Sequence, residues 1–372
     1  IPVSICTIIK NEEKHLGNFL NAIKSCLKDY PHETVIVDTG SDDGSLDIVD
    51  RFISDNPSES VVKGHFDWTG DFSAAKNHAV SLASNNWILV LDADEYLNAF
   101  DKKCVEMMDH SHKKDAGFID IVNHTAEGRT NDRVLRLFNR KYYRFEGIVH
   151  EQLVPCEGTQ DNAGSKSSLQ GVQAHAVSYI AVPIKIDHYG YMGTPEELKK
   201  KVERNNELLF KMLLETPDDP YLYFQIGQSY AAIKDHEKAY EYFGKGLEFE
   251  VDERLDYVRQ MVVGYGHAML DTGREKEALT FEGIYENFCD SADFLCLMGL
   301  IYMRNGIIGR SYEEFKKAVS IKECDVEGTN SYIAYFNMAV IDEATGNIDR
   351  AKELYKKCGD FAPAKERLKE IK

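Results

Sequence analysis

The sequence predicts an α/β half followed by an all-α repeat half, on three observations. Through the first half, short β-branched runs alternate with helical stretches, the pattern of a sheet covered by helices. At Thr194 the strand signals give way to a strong helix start. Beyond Tyr221, small and aromatic residues return at helical-hairpin intervals. The expected domains are residues 1–192 and 193–372.

Val3 to Ile9, Thr34 to Asp38 and Trp87 to Asp92 read as buried parallel strands, because each is a short apolar run. Between them, Glu12 to Leu27, Ser45 to Ile53 and Phe72 to Ala83 carry apolar residues at helical spacing, completing a βαβαβ core. After Asp94, runs such as Gly117 to Val122 and Arg133 to Phe138 are separated by turn signals, so they predict a mixed or antiparallel extension of the sheet. Residues 159–171 (TQDNAGSKSSLQG) are small and polar, as in a loop that covers a site or in a tolerated surface insertion. Thr194-Pro195-Glu196-Glu197 combines an N-cap threonine, proline at the first helical position and glutamate three residues after the cap. It starts a helix expected to run to about Glu215.

In the second half, Tyr223, Ile226, Gly227, Tyr230, Ala239 and Phe243 set a pattern. It returns as Gly266, Ala278 and Tyr285, as Leu295, Met298, Gly299, Tyr302, Phe315 and Ala318, and as Tyr335, Met338, Ala339, Ala351 and Tyr355. Small residues let the two helices of a hairpin approach closely, while aromatics fill the groove to the next hairpin. The spacing resembles tetratricopeptide repeats. The alanine-equivalent positions 239, 278, 311 (a serine) and 351 are 39, 33 and 40 residues apart. Two intervals exceed the usual length of roughly 34, so the repeats are degenerate, with longer turns.

Composition excludes several functions. With 44 Lys+Arg against 62 Asp+Glu the net charge is −18, and no long basic block exists, so no nucleic-acid partner is expected. The longest apolar runs, such as Trp87 to Leu91, fall far short of the roughly 18 residues a membrane helix needs, so no membrane span and a cytoplasmic location are expected. The eight cysteines are scattered without a C-x-x-C pair, which argues for buried or incidental thiols rather than a zinc site or disulfide framework. The chain opens on Ile1 rather than Met, as after N-terminal trimming.

The most informative segment is Ile88-Leu89-Val90-Leu91-Asp92-Ala93-Asp94-Glu95. A strand running directly into Asp-x-Asp delivers two carboxylates at the carboxyl edge of a parallel sheet, where open α/β sheets bind ligands. Hard oxygen ligands there suit Mg²⁺ or Mn²⁺ shared with a diphosphate. Ser4-Ile5-Cys6-Thr7-Ile8-Ile9-Lys10-Asn11-Glu12 and Val35-Ile36-Val37-Asp38-Thr39-Gly40-Ser41-Asp42-Asp43-Gly44-Ser45 bring polar turns to the same edge. Together they describe one nucleotide site.

These segments, with Asp71-Phe72-Ser73-Ala74-Ala75-Lys76-Asn77 between them, resemble the family 2 glycosyltransferases of the GT-A fold over roughly residues 1 to 190. The resemblance implies a Rossmann-like nucleotide-diphospho-sugar transferase domain and an inverting transfer of a sugar. It implies that Ile9, Asn11 and Glu12 open the donor site, that Asp38 hydrogen-bonds the base or ribose, and that Asp43 lies nearby on the nucleotide. The alternative for both aspartates is an Asx-type turn. Asp92, Ala93 and Asp94 would hold the ribose and the metal-diphosphate, with Asp94 the more direct ligand. Lys76 stands where the family usually has arginine; it can offset diphosphate charge but lacks the bidentate fork. Arg136 would add compensating charge. A GT-A domain followed by tetratricopeptide-like helices further resembles the sublancin-type peptide S-glycosyltransferases, on Arg136-Leu137-Phe138, Phe145-Glu146-Gly147-Ile148-Val149-His150-Glu151 and His188-Tyr189-Gly190-Tyr191.

Displacement at an anomeric carbon needs a base on the face opposite the leaving diphosphate, and His150-Glu151 offers one. Adjacent residues on an extended segment point to opposite sides, so Glu151 is taken as the base and His150 as a neighbour of acceptor or sugar. The alternative is a buried histidine and a surface glutamate. His188, by the same resemblance, would complete the metal site with Asp92 and Asp94; otherwise it packs at the hinge. Trp68 and Asp71 belong either to the sugar or base pocket or to the core. The repeats would bind an acceptor polypeptide, form a homodimer, or both. The expected activity is transfer of a hexose, from UDP-glucose or a related donor, to a cysteine or serine of a peptide or protein. Its rivals are extension of a surface polysaccharide or lipid-linked glycan, and a non-catalytic repeat adaptor.

Overall fold

The apolar runs become β1 (Val3–Ile9), β2 (His32–Asp38) and β4 (Trp87–Val90), while β3 (Val61–His65) joins them as a half-exposed edge. In the computed structural model, which describes residues 1–125, 128–149, 151–156 and 177–371, these four strands lie parallel in the order β3-β2-β1-β4. The mixed extension follows as β5 (Glu95–Phe100), β6 (Ala116–Thr125), β7 (Gly128–Asn139) and β10 (Tyr179–His188). One eight-stranded sheet results, of order β3-β2-β1-β4-β7-β6-β10-β5. A hairpin of β8 (Tyr143–Glu146) and β9 (Gln152–Pro155) stands apart from it. The expected α/β GT-A-like architecture is present.

Helices cover both faces of the parallel part. Ile5, Leu89 and Leu91 cluster with Leu16, Phe19, Leu20 and Ile23 of α1 (Leu16–Cys26), and with Val49 of α2 (Ser45–Asp55). The residues alternating with them, Cys6, Val35, Val37, Ile88 and Val90, cluster with Ala79 and Val80 of α3 (Phe72–Leu82). Strands dry on both sides carry no polar alternation, which is why they read as continuous apolar runs. Burying a side chain as completely as Phe19 contributes roughly 1.5–3 kcal/mol. β3 and β5 escaped the sequence reading because they mix exposed polar positions with apolar ones, and α4 (Lys103–Ser111) carries only a three-residue buried face.

The capping box at Thr194 forms as expected: Glu197 N–H donates to Thr194 Oγ1 (3.2 Å) and Thr194 N–H to Glu197 Oε2 (2.9 Å). It starts α5 (Pro195–Glu215). The compact units are Ile1–Thr216 and Pro217–Lys372, so α5 goes with the sheet rather than with the repeats, unlike the division at 192/193. Ion pairs of Glu197 with Lys14 and of Lys201 with Asp94 tie it there.

The second unit is helical. α6 (Pro220–Ala232) pairs with α7 (His236–Leu247), α10 (Ala292–Arg304) with α11 (Ile308–Ala318), and α12 (Tyr332–Ala344) with α13 (Ile348–Lys357). After α8 (Asp256–Asp271) the partner is a 3₁₀ helix, Glu277–Ile284, running into the one-turn α9 (Tyr285–Phe288), and α14 (Ala362–Glu370) closes the unit. The expected longer turns lie between hairpins, at residues 248–255 and 319–331, and the 3₁₀ helix of the second hairpin is a further departure. Small residues act as anticipated: a Cβ on Gly227 would stand 2.5 Å from the Phe243 ring, and one on Gly299 2.7 Å from the Phe315 ring. Among the described residues no helix is long and apolar enough to cross a membrane, and none of the eight cysteines is disulfide-bonded.

Gly227→Ala should therefore destabilise the repeats by about 1–3 kcal/mol through overpacking against Phe243. A lowered urea midpoint at unchanged slope checks this, and an unaltered midpoint would sink the close-approach argument.

Candidate functional site

Parallel neighbours end together. β1 and β2 finish in register, Ile9 opposite Asp38. On the other side of β1, the chain after β4 is held by Leu91 N–H donating to Cys6 O (3.1 Å) before it enters Asp92-Ala93-Asp94. The three motifs thus open at one sheet edge.

The first two loops are laced to each other. Asn11 adopts the left-handed region (φ 59°), which asparagine tolerates, and exchanges hydrogen bonds with Asp42 through Nδ2 (2.7 Å) and Oδ1 (2.9 Å). Glu12 N–H donates to Ser45 Oγ (2.8 Å). Asp38, buried, accepts from the N–H groups of Gly40 (3.2 Å) and Ser41 (3.0 Å). Asp43, exposed, accepts from those of Glu13 (3.1 Å) and Ser45 (2.9 Å). Burial opposes the Asp43 charge, but hydrogen bonds from Ser45 and Glu13 together hold its carboxyl below the ordinary value. Both aspartates therefore cap their own turns, each carboxylate keeping lone pairs to spare.

The third loop enters a dense ionic cluster. Asp92 contacts Lys76 Nζ (2.8 Å) through Oδ1 and Arg136 NH2 (3.2 Å) through Oδ2. Lys76, only 4% exposed and carried by α3, also pairs with Glu151, while Arg136, carried by β7, pairs with the buried Glu95 (2.9 Å). Glu95 Oε2 in turn accepts from Asp92 N–H (2.9 Å). Burial opposes the Asp92 charge, yet Lys76 and Arg136 hold its carboxyl well below the usual carboxylate range. Burial pushes Glu95 upward despite Arg136. Among the described residues the buried Arg136 Nε finds no hydrogen-bond partner. Ala93 is buried between the two aspartates.

Asp94 faces elsewhere. Its Oδ2 lies 3.3 Å from Lys201 Nζ and 3.6 Å from His188 Nε2. Burial would raise it, but His188, Lys201 and His15 together hold it well below its ordinary value. Glu12 is pushed up to about 7 by burial and by the charges of Asp94 and Asp92, which outweigh Lys201 and Arg204. His150 and residues 159–171 lie outside the described residues.

Of the three expected metal ligands, Asp94 and His188 come together, whereas Asp92 is turned to Lys76 and Arg136. Among the described residues no three such side chains form a metal cage. Asp94 and His188 nonetheless fit a divalent ion. Asn123 Oδ1 engages His188 Nδ1 (2.7 Å), leaving Nε2 toward Asp94, the orientation a ligating imidazole needs. Gly190 keeps the intervening space open, because a Cβ there would stand 2.5 Å from His188 Nε2 and would collide with Asp94 as well. With two protein ligands, such an ion would take its remaining ligands from outside this pair.

Sequence reading missed Glu95, Asn123 and Lys201. Glu95 was in view but carried no assigned role, and Asn123 sits in a strand without motif. Lys201 belongs to a short lysine run with no apparent partner, and the signal that could have found it is the capping box, which sets the helical face shared by positions 197, 201 and 204.

Residues 4–170 match the family profile described as Glycosyl transferase family 2, and residues 220–250 and 332–365 match Tetratricopeptide repeat. The chain is 30% identical over 66% of its length to a TPR repeat-containing protein of Synechococcus elongatus, covering 56% of that protein. It is 25% identical over 66% of its length to the SPbeta prophage-derived glycosyltransferase SunS of Bacillus subtilis, covering 53% of it. To the lipopolysaccharide core biosynthesis glycosyltransferase LpsC of Rhizobium meliloti it is 29% identical over 45% of its length, covering 63% of that protein. The chain thus spans little more than half the length of the first two.

Glu12 yields a pH prediction. Between its ordinary value of 4.5 and about 7 the folded chain holds a proton that the unfolded chain has released, so this group makes stability fall as pH rises through that window. Glu12→Gln should remove the slope, becoming more stable than wild type at pH 8 by a margin absent at pH 4. Urea unfolding at both pH values decides it.

Proposed function

We propose that this chain, which carries a glycosyl transferase family 2 domain ahead of tetratricopeptide repeats, is an inverting glycosyltransferase that moves a hexose from a nucleoside diphosphate sugar to a peptide or protein side chain. The observation that carries this is the charge pattern at the sheet edge: Asp38 and Asp92-x-Asp94 converge there, backed by the buried cations Lys76 and Arg136. UDP-glucose or a related donor, and a cysteine or serine acceptor in the cytoplasm, extend the reading.

In it, Asp38 meets the base or ribose and Asp92 the ribose side of the donor, while Asp94 and His188 would hold Mg²⁺ or Mn²⁺. Such an ion, when bound, neutralises charge on the departing diphosphate. Lys76 and Arg136 add fixed positive charge that needs no reorganisation as the bond breaks. Glu151, beside Lys76, takes the proton from the acceptor thiol or hydroxyl as that atom bonds the anomeric carbon and the nucleoside diphosphate leaves from the opposite face. His150 adjoins it on the acceptor or sugar side. The repeats supply a groove for the acceptor polypeptide, a homodimer interface, or both.

The similarity to LpsC favours a second reading, with a glycan acceptor. The two share the donor chemistry and differ in what product forms.

Incubation with a panel of UDP- and GDP-sugars and Mn²⁺ should consume one donor, and Asp94→Ala should slow it at least about 10²-fold. No turnover of any donor with any divalent ion would overturn the enzymatic reading in favour of a repeat adaptor. Glu151→Gln should keep nucleoside diphosphate affinity within about twofold while abolishing transfer, read by calorimetry beside product mass; equal loss of both would remove Glu151 from the base position.

A further inference from the structure

Helix α5 lies beyond the matched family domain, yet three of its side chains reach three loops of the sheet edge. Glu197 pairs with Lys14, just before α1. Lys201 Nζ lies 3.3 Å from Asp94 Oδ2, in the loop after β4. The Arg204 guanidinium stands 5.7 Å from the Phe72 ring centroid, at the start of α3. Positions 197, 201 and 204 share one helical face, so this face spans the edge where the motifs open.

The cations of the edge differ in how free they are. Lys76 is shared by Asp92 and Glu151, and Arg136 by Asp92 and Glu95, and both are deeply buried. The ion pair of Lys201 is with Asp94, its side chain is 39% exposed, and its Nζ stands 5.9 Å from the Tyr191 ring centroid. The glycine next to Tyr191 keeps the ammonium in reach of the cluster, since a Cβ on Gly190 would come within 2.8 Å of Lys201 Nζ. A long, half-exposed ammonium can turn to an arriving anion, and His188 stays beside the Asp94 carboxylate when it does.

We propose, resting on the glycosyl-transfer reading, that Lys201 is a diphosphate-binding residue supplied from outside the family domain, and that it serves as the counter-ion of Asp94 until the donor arrives. In the donor-free protein its ammonium competes with a divalent ion for Asp94. In the donor complex it turns to a diphosphate oxygen, and Asp94 is left to the metal. The same residue thus opposes metal binding before the nucleotide is present and supports nucleotide binding afterwards. Metal and donor would enter together rather than metal first.

The two effects have opposite signs, so one substitution tests both. Calorimetry on the full chain would measure UDP and GDP affinity in EDTA and in Mn²⁺, and Mn²⁺ affinity without nucleotide, for wild type, Lys201→Met, Lys201→Arg and Lys199→Met. Lys199 is exposed on the same helix and matches the change in net charge. Lys201→Met should weaken the bound nucleoside diphosphate at least about tenfold in EDTA, and should tighten Mn²⁺ alone. Lys201→Arg should retain most of the nucleotide affinity, and Lys199→Met should change neither. If Lys201→Met binds the nucleotide as wild type does, or loses no more than Lys199→Met, the inference is overturned while the transferase reading stands. If wild type binds no nucleoside diphosphate at all, the transferase reading falls and takes the inference with it.

Discussion

The carboxyl edge of the sheet depends on charge balance. Asp92, Asp94, Glu95 and Glu151 crowd the ends of the strands, and two carboxylates about 4 Å apart repel by about 4 kcal/mol at an effective dielectric constant near 20. Folding such an edge requires cations inside it, and the structure supplies them from separate elements: Lys76 from α3, Arg136 from β7 and Lys201 from α5. Asp92 and Asp94 are thereby held charged and oriented before any ligand comes. Glu12, which none of these cations contacts, shows the cost of the same environment in its raised value. The site is preorganised by the interactions that keep it from unfolding.

One helix carries much of that order. Asp71 caps α3 by accepting from Ala74 N–H (2.9 Å), and Phe72 N–H donates to Ile148 O (2.9 Å). Asn77 clasps β8 as a strand would, its Nδ2 donating to Phe145 O (2.8 Å) and its Oδ1 accepting from Phe145 N–H (2.9 Å). Trp68 packs edge-on against Phe72 (4.8 Å) and so belongs to this packing. The helix that delivers Lys76 to Asp92 therefore also anchors the segment leading to Glu151. Asp92 and Glu151 are joined through one ammonium, and Asn77 of the same helix clasps the neighbouring strand.

What was legible in the sequence was local. The parallel strands could be read because both faces are dry, and the start of α5 because its capping signal is contained in four residues. The repeat spacing could be read because a glycine under Phe243 or Phe315 tolerates no Cβ. Positions whose partners lie far along the chain could not be read. Lys201 meets Asp94 across more than a hundred residues, and Asn123 reaches His188 across sixty-five. Edge strands such as β3, with mixed exposure, carry no periodic signal strong enough to outweigh loop chemistry. The roles of Asp38 and Asp43 were left open between ligand contact and turn capping, and their hydrogen bonds make turn capping part of the answer, because a carboxylate has lone pairs for both.

The boundary between the units has the same cause as the site. The break in sequence pattern falls where strands stop, at Thr194, but the break in packing falls after α5, at Thr216. A helix with one polar face would gain little from packing on a sheet edge unless that face met charge. Here Glu197 and Lys201 find opposite charges across the edge, and Val202 and Leu209 bury the flank. In an acidic chain of net charge −18 positive charge is felt only where it is concentrated locally, as it is around Lys76, Arg136 and Lys201. The lysine of α5 adds to that concentration, and the helix packs with the sheet through this pair, the pair of Glu197 with Lys14, and its buried flank.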